Sequence, residues 1–292
     1  MSVLAYLYYK FFATLLRAAV RLAGVRVRAY PDEVRHIPSR DSGRTIKVHV
    51  YRTPSTSAPS PVLINFHGSG FLLCLHGSDD DFCRQMSRET KYTVLDVSYR
   101  LAPENPFPAA VNDVEDSIKY VLGRPDEFDL FHLSISGFSA GGNLALAASA
   151  ILFPPKTFRS LIAFYPALDL SKDPATKVAP DPTAWVIPVP IARLFNRCYV
   201  PPTFDKRDPR ISPKFAQMNR FPRRVLMITC DGDSLASEAE ELAERLQHEG
   251  CYVVSERMNG CSHAWDKRTR AGTPQHQAKE RAYNMAVEIL NE

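Results

Sequence analysis

Cysteine is scarce: the 292-residue chain has six, none in a CxxC pair, too few for a disulfide scaffold and without metal-ligand spacing. Reduced thiols in a cytoplasmic protein are therefore expected. No apolar run reaches the roughly 18 to 20 residues that cross a bilayer. The apolar stretch near the start is broken by Lys10, Arg17 and Arg21. It has no basic residue ahead of an h-region and no A-x-A site, so it reads as no signal peptide. Thirty-six basic side chains face 32 acidic ones, with no long like-charge run and no basic stripe interleaved with aromatics. Nucleic acid is not an expected partner. Internal repeats, low-complexity tracts and Asn-x-Ser/Thr sequons are missing as well.

What is present is a hydrophobic fraction of 45%, enough for a substantial core in a chain of this length. Residues 4–22 place apolar side chains at helical spacing, with Lys10, Thr14, Arg17 and Arg21 on the other side, which predicts an amphipathic helix. Ile46, Val48 and Val50 then alternate with Lys47, His49 and Tyr51, as in a half-buried strand. Short apolar runs follow at 62–66, 93–97, 133–136, 161–164, 225–229 and 252–255. Helical patterns at 81–90, 109–122, 140–151, 235–249 and 275–290 separate them. Continuous apolar strands alternating with helices predict a mostly parallel α/β sheet. Ten of the 23 prolines fall between Asp169 and Pro222. A loop-like stretch that long inside a compact domain is usually functional, such as a lid.

The sharpest chemical signal is Gly137-Phe138-Ser139-Ala140-Gly141-Gly142, set between a strand and a helix. This is the context a G-x-S-x-G nucleophile elbow requires. A serine on such a turn projects its hydroxyl beyond the sheet, and the Ala140 N–H at the helix start favours a developing oxyanion. His67-Gly68-Ser69-Gly70-Phe71 follows an earlier strand, where small residues let backbone N–H groups point at a carbonyl oxygen. A serine nucleophile needs a base and an orienting acid. Cys230-Asp231-Gly232-Asp233 and Gly260-Cys261-Ser262-His263 both follow strands, at the sheet end where α/β folds place their sites. His263 is the expected base, and Asp231 and Asp233 both qualify as the acid. His76 is a loop histidine near the same site.

Three blocks together resemble the hormone-sensitive lipase family of α/β-hydrolases, which includes arylacetamide deacetylase-like enzymes and fungal versiconal hemiacetal acetate esterases. They are His67 to Phe71 for HGGGF, Tyr99-Arg-Leu-Ala-Pro-Glu104 with Pro106-Phe-Pro108-Ala, and Gly137 to Asn143 for GDSAGGN. The resemblance implies Ser139 as nucleophile and His263 as base. It favours Asp233 over Asp231, and it makes Gly68, Ser69 and Ala140 the oxyanion N–H donors. Phe138 stands where the family usually has an acidic residue or Thr, and Ser69 replaces the middle glycine. The fold implied is one α/β-hydrolase domain over 1–292, with a helical cap from about 1–40 and 170–220. Phe71, Leu72, Phe138, Trp185, Ile187 and Phe195 are candidate pocket-lining residues.

The expected function is hydrolysis of short-chain acyl esters, acetyl to butyryl, of a small molecule such as a secondary metabolite, with no metal and no cofactor. Acyl transfer, lactone or cyclisation chemistry and amide hydrolysis by the same triad are the alternatives, with a non-catalytic binding module behind them. The apolar face of the first helix is expected to cover the pocket with its charges in water, in preference to lying on a membrane surface. A homodimer is left open.

Overall fold

The computed structural model describes residues 3–23, 27–54 and 58–292. In chain order the principal elements are α1 (Val3–Leu22), β1 (Glu33–Pro38), β2 (Thr45–Tyr51), β3 (Ser60–Phe66), α2 (Asp80–Glu89), β4 (Thr93–Val97), α3 (Ala109–Leu122) and β5 (Phe128–Phe138). They continue with α4 (Ala140–Ala147), β6 (Ser160–Phe164), α5 (Val189–Tyr199), β7 (Arg224–Gly232), α6 (Ala236–His248), β8 (Tyr252–Ser262) and α7 (Pro274–Asn291). A π-helical turn, Ala148–Leu152, continues α4. The strands form one eight-stranded sheet in the order β1-β2-β4-β3-β5-β6-β7-β8. β1 and β2 are antiparallel to their neighbours, and every pair from β4 to β8 is parallel.

The apolar runs are continuous because both faces of the central strands are covered. On β6, Leu161 and Ala163 enter one hydrophobic cluster while Ile162 and Phe164 enter the other. β7 repeats the division with Val225 and Met227 against Leu226 and Ile228. Side chains of α3, α4 and α6 fill the first cluster, and those of α2 and α7 fill the second. On β2 the predicted alternation holds only at its start. His49 and Tyr51 are buried along with Val48 and Val50, because α2 and the loop before it cover the second face.

Two elements escaped the sequence reading. β1 is an edge strand with a single buried residue, Ile37, so it lacks the apolar run that marked the others. It also lies within the stretch expected to form the cap, and residues 33–38 belong to the sheet. α5 arises inside the proline-rich segment: Pro190 sits in its first turn, where a missing N–H costs nothing. That segment is tied to α6 by Glu238, which pairs with Lys177 at 2.6 Å and accepts the Leu168 N–H at 2.8 Å.

The first helix reverses its expected orientation. Leu4, Leu7, Tyr8, Phe11, Leu15 and Leu22 are exposed, and only Ala13 is buried. Lys10 and Arg17 instead turn toward the body and pair with Glu104. Arg17 also donates to the carbonyl oxygens of Leu72 at 2.9 Å and Ala102 at 2.8 Å. A guanidinium supplied with a carboxylate and two carbonyls is satisfied facing inward, and this fixes the polar side of α1 against the protein.

Candidate active site

Ser139 sits between β5 and α4 with φ 52° and ψ −114°, a strained conformation for a residue with a side chain. Its neighbours explain the glycines. A Cβ on Gly137 would stand 2.2 Å from the Gly141 carbonyl oxygen, and one on Gly141 would stand 1.9 Å from that of Phe66. The elbow therefore packs directly onto the end of β3. The Ser139 N–H is held by the Phe164 carbonyl at 2.9 Å, and Asn143 donates to Ala167 and Ile211 from behind the helix start.

The 67–71 loop leaves β3 beside this turn, with a Cβ on Gly68 falling 3.6 Å from that of Ser139. The Ser69 side chain gives the loop internal support. Its hydroxyl meets Tyr99 Oη at 2.7 Å, accepts the Phe71 N–H at 2.9 Å, and Tyr99 in turn donates to the His67 carbonyl at 2.6 Å. The N–H groups of Gly68 and Ser69 thus belong to a loop braced by hydrogen bonds. Ala140 opens α4, where first-turn N–H groups have no intrahelical acceptor.

Strands β7 and β8 deliver the remaining groups. His263 Nε2 lies 2.9 Å from Ser139 Oγ, and its Nδ1 lies 2.6 Å from Asp233 Oδ2. Asp233 Oδ1 accepts the Leu235 N–H at 3.0 Å, which fixes the carboxylate. Asp231 turns elsewhere and accepts the Gly260 N–H at 3.0 Å. Both His263 and Asp233 are largely removed from solvent, with side chains 8% and 3% exposed. Tyr165 packs its ring 4.8 Å from the imidazole and donates to Asp266 at 2.6 Å.

The six candidate lining residues separate. Phe195 on α5 stands over the glycine loop: a Cβ on Gly70 would meet its ring at 2.7 Å. Phe71 is buried and stacks on Tyr199 at 3.7 Å, and Leu72 is fully buried. Ile187 is half-buried, and Trp185 is 64% exposed. Phe138 is not a lining residue. As the last residue of β5 its side chain enters the cluster under α2 and α7, stacked on Phe164 at 4.5 Å, while the turn at Ser139 aims the hydroxyl at the site. His76 is likewise turned away, toward Asp96.

Sequence reasoning missed Lys267. Its ammonium lies 3.4 Å from the centre of the Phe138 ring, between Asp79 at 2.9 Å and Asp266 at 2.8 Å. A cation over an aromatic face thus occupies the region behind the elbow. Burial works against the Asp266 carboxylate, but Lys267 and the hydroxyls of Tyr165 and Tyr283 hold its pKa below the ordinary range. The only signal was a charged pair, Asp266-Lys267, just after the candidate histidine.

A cavity of about 550 Å³ lies between α1 and α5 and is lined by Tyr8, Phe12, Leu15, Leu16, Ile191 and Leu194. It does not reach Ser139 or His263. The nearer cover is the 181–184 segment, where the Asp181 N–H bonds to the Asp231 carbonyl and Ala184 packs on Gly232 at the end of β7.

A serine on a strained elbow, hydrogen-bonded to a histidine that meets a carboxylate at the carboxyl ends of parallel strands, defines a carboxylesterase-type hydrolase. The chain belongs to the alpha/beta hydrolase fold family, whose pattern residues 63–267 match. An AB hydrolase superfamily protein of Schizosaccharomyces pombe is 30% identical over 225 residues, covering 72% of this chain and 65% of that protein. An ethyl acetate hydrolase of Pseudomonas putida is 27% identical over 267 residues, 88% of this chain and 81% of its own length. A hyperthermophilic esterase from the archaeon Pyrobaculum calidifontis superposes with a TM-score of 0.80 at 25% identity, covering 100% of this chain and 98% of its own.

Proposed function

We propose that this chain hydrolyses short-chain carboxylic esters, acetyl to butyryl, of small molecules through an acyl-enzyme on Ser139. The observation that carries the reading is the continuous contact from Ser139 Oγ through His263 to Asp233. Ser139 Oγ attacks the ester carbonyl while His263 Nε2 takes its proton. Asp233 holds the Nδ1–H and stabilises the imidazolium, and the N–H groups of Gly68, Ser69 and Ala140 receive the oxyanion. His263 returns the proton to the departing alcohol, and water then repeats the sequence on the acyl-enzyme. Residues before 33 and the 170–220 segment serve as the cap. Short acyl groups are favoured because bulky Phe195 stands over Gly70, close to the oxyanion N–H groups. The name of the Pseudomonas putida relative points to the same acyl size.

A panel of p-nitrophenyl esters tests the reading: kcat/KM is expected to peak between acetate and butyrate. Ser139→Ala should leave the fold intact, abolish fluorophosphonate labelling and lower turnover by several orders of magnitude. Persistent labelling, or highest turnover on emulsified long-chain triglyceride, overturns it.

A further inference from the structure

A row of polar side chains crosses the sheet beneath α2. β2 sets His49 opposite Asp96 of β4, β3 sets Asn65 beside Asp96, and β5 sets Ser136 beside Asn65. Ser136 donates to Asn65 at 2.9 Å, and Asn65 Nδ2 donates to Asp96 Oδ1 at 2.9 Å and to Asp79 at 3.0 Å. Asp79, Asp96 and Asp266 are all buried. Lys267 serves Asp79 and Asp266, while among the described residues no lysine or arginine pairs with Asp96. One buried carboxylate is left without a cation, which is costly in a low-dielectric interior.

What Asp96 has instead is imidazole. His76 Nε2 lies 3.0 Å from the Asp96 carbonyl oxygen and 3.4 Å from its Oδ2. The rings of His76 and His49 lie 4.0 Å apart between centres. One ligand-type atom from each of His49, His76 and Asp96 falls within 4.8 Å of the others. Two atoms of this group, His49 Nδ1 and Asp96 Oδ2, are buried without a hydrogen-bond partner.

The geometry points to a divalent metal site of the zinc type formed by His49, His76 and Asp96, with water completing the coordination. Two imidazoles and a carboxylate select a borderline ion such as Zn²⁺ over Mg²⁺ or Ca²⁺. Ligand atoms around tetrahedral zinc stand about 3.3 to 3.5 Å apart. His76 Nε2 and Asp96 Oδ2 already stand 3.4 Å apart, and binding there moves the imidazole proton to Nδ1, exchanging the Nε2–H bond to the Asp96 carbonyl for the metal, while the other ligand atoms close in from within 4.8 Å. The ion supplies the positive charge that Asp96 lacks and uses both unpartnered atoms. It joins β2 and β4 to the loop after β3, the loop that also carries Gly68 and Ser69, so its role is to fix that loop. The site shares no residue with the proposed triad.

The experiment uses the full chain carrying Ser139→Ala and Cys74→Ser, which separates the outcome from catalysis and removes the exposed thiol near His76. Zn²⁺ titrated into EDTA-treated, dialysed protein is followed by calorimetry and thermal melting, and Co²⁺ by visible absorption. One Zn²⁺ per chain, a raised melting midpoint and Co²⁺ bands without thiolate charge transfer are expected. Asp96→Asn or His76→Gln should weaken binding at least 100-fold. Should both fail to fold, His49→Gln carries the test, since the Nδ1 it removes makes no hydrogen bond. Absence of stoichiometric binding, or binding unchanged in a folded variant, overturns the site and leaves a protonated Asp96 as the resident of the row.

Discussion

At the scale of single residues, two aspartates two positions apart at the end of β7 looked alike in the sequence, and only contacts separate them. Asp233 reaches His263 at 2.6 Å, while Asp231 closes the turn at Gly260. On the proposed mechanism, Asp233→Asn presents the wrong histidine tautomer and should lower kcat by about 10³ to 10⁴. Asp231→Asn loses one backbone contact and should cost less than about tenfold. Steady-state kinetics on p-nitrophenyl acetate with both folded variants decides the matter, and the reverse ranking would move the acid to Asp231. Ser139, His263 and the 67–71 loop were legible because their backbone demands leave a pattern in sequence. Phe138 was misjudged because a motif gives position without stating which face a side chain takes. Lys267 was invisible because its partners Asp79 and Asp266, one of them far away in the chain, meet only through packing.

At the scale of elements, helices were legible from their period of 3.6, and central strands from continuous apolar runs that burial on both faces imposes. β1 failed because an edge strand half in water needs no apolar run, and α5 because its prolines read as loop. The orientation of α1 could not be read from amphipathicity, because the polar face has distant partners in Glu104, Leu72 and Ala102. Burial raises the Glu104 pKa, but Arg17 and Lys10 outweigh it and hold the group near about 2, below its ordinary 4.5. A carboxylate with a depressed pKa contributes stability that is present above its unfolded value and lost as pH falls through its folded one. The docking of α1 should therefore weaken between about pH 4.5 and 2. Hydrogen exchange of residues 3–22, corrected for intrinsic rates, should show protection lost over that window ahead of the sheet. Glu104→Gln should lose much of it at neutral pH, and equal protection in both proteins would refute the anchor.

At the scale of the whole molecule, the class of fold followed from the alternation of apolar runs and helices. The strand order β1-β2-β4-β3-β5-β6-β7-β8 depends on pairings between distant segments that no local pattern encodes. The same order places the serine just beyond a central strand and the histidine just beyond an outermost one. β8 is the sheet's far edge, and only Met258 and Cys261 along it are buried. Edge segments with few buried apolar groups open at lower free energy than the interior strands they flank. A partial opening of β8 would carry His263 away from Ser139 while β3 to β7 stay paired. Hydrolysis should thus fail in urea at concentrations where far-UV ellipticity remains native, and coincident midpoints would rule this out. The catalytic centre then reports the weakest cooperative unit of the molecule rather than its global stability.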